Sequence, residues 1–515
     1  MPGSTLESLA ARVLCVGFEG ASANEAPLAE LAALAPAGVI LFARNVVDAA
    51  STRALVEAVV AALGADLPPL VAVDQEGGRV ARLRRGVIEI PSMMALAAGG
   101  DLARAERIGA LIARDLRRAG ANVALAPVVD LALHPENLAI GARSFGDDPE
   151  RVAAFGAALV RGLETGGVAA TLKHFPGHGA TRDDSHRGLP RLDSDGATLR
   201  ARDLVPFAAG IAAGARCVLS AHVVVPALDP DRPATLSPVL LTTLLRAELG
   251  FAGVCFTDAL DMQAIARGAG TVRGTVLALA AGADCALICH SLELAREARS
   301  AIAAAVASGE LPEARLREAA GRVDALCAGL AGPLPLGDGP RAEDRDLALQ
   351  TARAAVTRVR GRLTLEAGRP VTIVSFEGAT TEGVQGLHAE HPALNLPLRE
   401  RRVRAEQMRV PLDPDAELVE ELCAVLALQA PRDLVLLSRR AHVYPGQRAA
   451  LARLLERFPA ALLVSAREPF DLACFPQARN AACIYGDEAI SLEGLADVLA
   501  GRAPADGRLP VALAR

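Results

Sequence analysis

The chain has 515 residues, 51% of them hydrophobic and 22% charged, with a formal net charge of −6. That length and apolar content support two or more domains with ample core, while interspersed charges offer no basic face to nucleic acid and no polybasic run to a membrane. Aromatic residues make up 3%, with no Trp and two Tyr, so the stacking platforms that grip long polysaccharides or single strands are missing and a small ligand held by hydrogen bonds is expected.

The N-terminus, MPGSTLESLAARVLCVGFEG, has no basic region ahead of an apolar run, and no apolar stretch reaches membrane-span length, so a cytoplasmic protein is expected. Short β-type runs then alternate with helical patterns: RVLCVGF (12–18), GVILFA (38–43), LVAVD (70–74), NVALAPVVD (122–130), VAATLKH (168–174), CVLSAHV (217–223), GVCFTD (253–258) and DCALICH (284–290). Eight such units predict parallel strands with helical crossovers, an α/β chain opening with a (β/α)8 TIM-like barrel. In that fold chemistry gathers where strands end. Asp74, Asp130, Lys173, His174, His222 and Asp258 all stand at such ends. Most of the nine cysteines fall inside these apolar runs, where a thiol serves as a small hydrophobe.

The fifth run leads into LKHFPGHGATRDDSHRGLP (172–190), which holds three of the nine histidines. It also holds the only lysine among 54 Lys and Arg residues. A compositional drift that strong would replace any lysine that served merely as a solvated charge. An ammonium is a compact point donor and a guanidinium a planar fork, so Lys173 is expected where shape matters. The PGHGATRDDSH segment is rich in turn residues and is read as a loop.

AGPLPLGDGP (331–340) is dense in Gly and Pro and reads as a linker. The expected organisation is a barrel over 1–332, a linker over 333–344 and a smaller α/β sandwich domain over 345–515. In that domain RDLALQTARAAVTRV is read as helical, and VTIVSFEG, DLVLLS, AALLVS and AACIYG as buried strands with helices on both faces.

A pocket gathering Asp258, Asp74, Lys173, histidines and arginines offers a carboxylate nucleophile, a proton shuttle and hydroxyl-binding donors, a set that suits a glycosidase. The ordered motifs DQEGGRVAR (74–82), IGARSFGDDP (140–149), KHFPGHG (173–179), DSHRGLP (184–190), SAHV with PATLS beyond it, and TDALDM (257–262) resemble the bacterial β-N-acetylglucosaminidases of glycoside hydrolase family 3. The resemblance implies a retaining, exo-acting mechanism through a covalent glycosyl-enzyme, with Asp258 as nucleophile and His186, paired with Asp184, as acid/base. It implies sugar binding by Asp74, Arg82, Arg143, Lys173 and His174, and neither metal nor cofactor. The chain departs from the family's commoner nucleophile sequence, which carries a second acid directly after the first; here Ala259 follows Asp258 and the next acid is Asp261. The ending GRLPVAL is similar to the close of the family's C-terminal domain.

The substrate implied is a small β-N-acetylglucosaminide, with a muropeptide of cell-wall recycling and a chitin fragment both open. An imidazole acid/base does not repel an anion, so phosphorolysis with inorganic phosphate is an alternative to hydrolysis. A β-glucosidase or β-xylosidase of the same family is a closer rival, disfavoured by the KHFPGHG…DSH loop. A metal-dependent barrel hydrolase using His174, His178, Asp184 and His186 is remote, because a turn-rich loop fixes ligands poorly. Oligomeric state is left open.

Overall fold

The computed structural model describes residues 5–181, 189–337, 339–366, 368–378, 392–429 and 432–513. Eight parallel strands, one from each predicted run, form the first sheet: β1 (Leu14–Val16), β2 (Gly38–Leu41), β3 (Leu70–Val73), β4 (Val123–Ala124), β5 (Ala169–Phe175), β6 (Cys217–Ser220), β7 (Val254–Thr257) and β8 (Ala286–Ile288). β1 pairs with both β2 and β8, and a parallel bridge from Phe256 to Cys285 joins β7 to β8, closing the barrel.

Alternation along each strand explains why these runs read as almost continuously apolar. Cys15, Ile40, Ala72, Leu125, Leu219, Phe256 and Leu287 belong to one interior cluster, while Val16, Leu41, Val73, Ala124, Val218, Cys255 and Ile288 belong to the layer between strands and helices. With both faces covered, every strand position favours an apolar residue. The interior cysteines behave as small hydrophobes, and burial pushes the Cys285 and Cys289 thiols well up, so both stay protonated. Val323, Leu326 and Cys327 of the helix Glu313–Ala328 join the interior cluster.

A second sheet follows: β9 (Thr357–Arg360), β10 (Val371–Glu377), β11 (Ala405–Pro411), β12 (Asp433–Ser438), β13 (Leu462–Ser465) and β14 (Asn480–Cys483), in the order β9-β14-β13-β12-β10-β11. All neighbours are parallel except β9 and β14. The architecture is a TIM-like barrel followed by a smaller α/β sandwich, as the sequence predicts. Two local expectations are corrected. The helix read through 345–359 stops at Ala355, and Thr357–Arg360 is an edge strand; AEQMRVP, read as no element, is the opposite edge strand. The first buries only Thr357 and the second only Ala405 and Val410, among half-exposed and exposed positions, so neither carries an apolar run.

The two faces of this sheet differ in what covers them. Ile373, Val435 and Val464 pack with residues of the helices Asn395–Glu400 and Ala489–Leu499. Val374, Leu436 and Leu463 share a cluster with Met94, Ala98, Ala132 and Ala142 of the barrel, so one hydrophobic core spans both units.

Candidate active site

The C-terminal ends of the barrel strands enclose a cavity of about 330 Å³. Asp74, Arg82, Arg143, Lys173, His174 and Asp258, predicted from four separate motifs, all line it. Asp184 and His186 lie outside the described residues.

The deepest charges form a chain. Lys173 on β5 has 3% of its side chain exposed; its Nζ lies 2.9 Å from Asp74 Oδ1 and 2.6 Å from Glu76 Oε1. Arg82 Nη2 donates to the other Asp74 oxygen at 3.1 Å. Glu76 accepts two bonds from Arg143, from Nε at 2.8 Å and Nη2 at 2.7 Å, and Arg143 Nη1 donates to Ala139 O at 2.7 Å. Burial raises the carboxyl pKa of Asp74 and Glu76, but Lys173 with Arg82 at Asp74, and Arg143 with Lys173 at Glu76, outweigh it and hold both acids ionised. Each buried charge is thereby paired, which a site dry enough for strong hydrogen bonding requires.

Sequence reasoning missed Glu76, although it sits inside the DQEGGRVAR motif. Its side chain is 1% exposed and it joins the lysine to the Arg143 fork, so it fixes both donors. Asp130 does comparable work for the histidines: its Oδ2 is 2.7 Å from His174 Nδ1 and accepts from His174 N at 3.1 Å, while Oδ1 accepts from His178 N at 2.6 Å. A carboxylate on Nδ1 directs the opposite edge of the imidazole to other partners.

Asp258 follows β7, and its carboxylate accepts from Ala259 N at 2.8 Å. The backbone beyond it is fixed by His222, whose Nε2 lies 2.9 Å from Ala259 O; a carbonyl only accepts, so Nε2 carries the proton. Asp261 is spent elsewhere: its Oδ2 accepts from Cys289 N at 3.0 Å and His290 N at 2.7 Å, holding the end of β8. Of these two acids, Asp258 is the one that lines the cavity. At the rim, also unforeseen from sequence, Arg44 lies 4.8 Å from the Phe42 ring centroid, and that ring is 5.4 Å from the His290 ring. Among the described residues no group of three or more His, Cys, Asp or Glu could hold a metal ion, and no helix is long and apolar enough to cross a membrane.

The model of the glycosyl hydrolase family 3 N-terminal domain matches residues 6–326. This chain belongs to glycosyl hydrolase family 3. It is 47% identical over 278 residues to a β-hexosaminidase of Stenotrophomonas maltophilia (strain K279a), covering 52% of this chain and 80% of that one. A family 3 β-N-acetylglucosaminidase structure from Paenibacillus sp. str. FPU-7 superposes with a TM-score of 0.92 at 34% identity, with 99% of both chains covered. The β-N-acetylhexosaminidase structure from Beutenbergia cavernae, 31% identical with a TM-score of 0.59, is covered to 99% by 63% of this chain. The first of these structures thus matches this chain from end to end and the second is a shorter chain matching 63% of it; this chain is a glycoside hydrolase of the longer kind.

Proposed function

We propose that this glycoside hydrolase is a retaining, exo-acting β-N-acetylglucosaminidase that releases terminal β-linked N-acetylglucosamine through a glycosyl-Asp258 intermediate. The observation that carries the reading is the single cavity in which Asp258 stands with Asp74, Arg82, Arg143, Lys173 and His174, in a chain similar along its whole length to a family 3 β-N-acetylglucosaminidase. At about 330 Å³ the cavity lies at the small end of ligand pockets, which suits one terminal sugar.

In this mechanism Asp74 accepts hydrogen bonds from sugar hydroxyls while Arg82, Lys173 and Arg143 donate to hydroxyl and acetamido oxygens. The ion pairs behind these groups keep them in place before the sugar arrives, so less ordering is left for binding. A carboxylate oxygen of Asp258 bonds to the anomeric carbon as the glycosidic C–O bond breaks, and His186, oriented by Asp184, gives its proton to the leaving oxygen. Water then attacks the same carbon, loses its proton to His186 and frees Asp258. Short side chains on a rigid strand end hold the attacking oxygen reproducibly.

Turnover of an aryl β-N-acetylglucosaminide against an aryl β-glucoside tests the assignment. Clear preference for the acetamido sugar is expected; equal or reversed preference would hand the chain to the β-glucosidase reading. Running the assay with and without inorganic phosphate should give free N-acetylglucosamine both times, and a sugar 1-phosphate would make the enzyme a phosphorylase. His186→Ala should slow substrates with poor leaving groups severely and spare activated aryl glycosides, which depart unprotonated; equal loss on both would remove His186 from the acid/base role.

A further inference from the structure

The loop 134–147 lies between β4 and the helix Pro149–Thr165, and it contributes Ala139, Ile140 and Arg143 to the cavity wall. The barrel grips it through Arg79, whose Nη2 donates to Leu138 O at 2.8 Å, and through Asn137 Nδ2, which donates to His178 O at 2.9 Å. The second domain grips it as well. Ala142 N donates to Glu468 Oε1 at 3.3 Å, Arg440 Nη2 to Leu138 O at 3.4 Å, and His442 Nε2 to Pro135 O at 3.2 Å. Past the Arg143 turn, Pro510 O accepts from Asp147 N at 3.2 Å, and Ala512 N donates to Asp147 Oδ2 at 2.9 Å.

These holds are built rather than incidental. Glu468 is 2% exposed and receives Arg440 on both oxygens at 3.1 Å. Gly141 has φ +47°, and a Cβ there would sit 2.2 Å from Glu468 Oε1, so the glycine both permits the turn and admits the carboxylate. His442 faces Asp471 Oδ1 at 2.6 Å with Nδ1 and a carbonyl with Nε2; both partners only accept, so both ring nitrogens carry protons.

We propose that Glu468, with Arg440 and His442 behind it, is a positioning residue of the active site: the second domain sets the loop that carries Arg143 to the sugar. Barrel and second domain share the task of holding the loop. The inference rests on the reading of Arg143 as a substrate contact. It gives the second domain a part in binding.

The test uses the full chain with Glu468→Gln, His442→Ala, and Ile373→Ala as a control on the face of the sheet turned from the barrel, where Ile373 is fully buried. Amide exchange of 134–147 should quicken at least tenfold in both loop variants and stay at the parent rate in the control. KM for the aryl β-N-acetylglucosaminide should rise about tenfold with a smaller change in kcat, at a temperature where all variants remain folded. Unchanged exchange in 134–147 for a folded Glu468→Gln or His442→Ala would overturn the proposal whatever the substrate is. Equal kinetic loss in Ile373→Ala would reduce the effect to general stability. A parent that ignores the aryl N-acetylglucosaminide but shows the exchange pattern would refute the proposed function and keep the positioning role.

Discussion

Both sheets gather charge at the C-terminal ends of their parallel strands, yet one makes a site and the other a joint. The barrel ends surround about 330 Å³ of open space, with the Asp74 side chain 14% exposed at its wall. The ends of β12, β13 and β14 present Arg439, Arg440, Arg467, Glu468, Asp487 and Glu488, all buried, and leave about 10 Å³ against the barrel. That void holds one water at most. Ionisable residues gather in both places. The difference is space: in the barrel, paired charges keep an edge toward the cavity, whereas in the joint every edge meets protein.

The largest break in that comparison comes from Asp258→Ala. It should leave folding intact and lower kcat by about a thousandfold or more, about 4 kcal/mol of transition-state stabilisation, because water cannot replace the nucleophile proposed at this position. A fluorosugar trap should label Asp258; a label on Asp261 would contradict the separation of the two acids. Lys173→Arg should follow at about a hundredfold in kcat/KM, about 2.7 kcal/mol, with both KM and kcat affected. The ammonium lies within 2.9 Å of two carboxylates on a side chain only 3% exposed, and a wider fork there must push Asp74 or Glu76 away from the cavity. Activity within a few-fold of the parent would make the lone lysine an accident of composition.

The barrel was legible in sequence because strands covered on both faces leave unbroken apolar runs, and because its polar residues cluster at run ends. The edge strands β9 and β11 were not. β11 buries Ala405 and Val410 while exposing Glu406 and Arg409, a pattern any loop could show. Glu76 stood inside a recognised motif, but its function appears only when Arg143, 67 residues on, reaches it. The grip of Glu468 on Ala142 spans 326 residues and has no local signature. GRLPVAL was visible as a motif, and what it does, receiving Asp147 on Pro510 O, is a property of the assembled chain. What escapes sequence reading here is the partner of each buried charge, since pairing is set by the fold and not by spacing.

The smallest expected effect separates two glutamates within the joint. Burial pushes both carboxyls up, but Arg440, Arg467 and His442 outweigh it at Glu468 and bring it down to about 2. At Glu488 burial is reinforced by Asp487 and Glu89, so its pKa stands well above the usual carboxyl range. The linkage signs are opposite. Glu468 contributes stability above the ordinary glutamate pKa near 4.5 that is lost as pH falls toward its folded value. Glu488 holds a proton in the folded state that the unfolded chain has released, so stability falls as pH rises from about 4.5 through neutrality. Glu488→Gln, which mimics the protonated acid and keeps an acceptor for Ser491 Oγ at 3.2 Å, should therefore match the parent near pH 4.5 and exceed it by about 1 kcal/mol at pH 8. Urea midpoints at both pH values measure this directly. An equal loss at both would mean that Glu488 is ionised and paired like Glu468, and that the joint contains no carboxyl kept neutral by its neighbours.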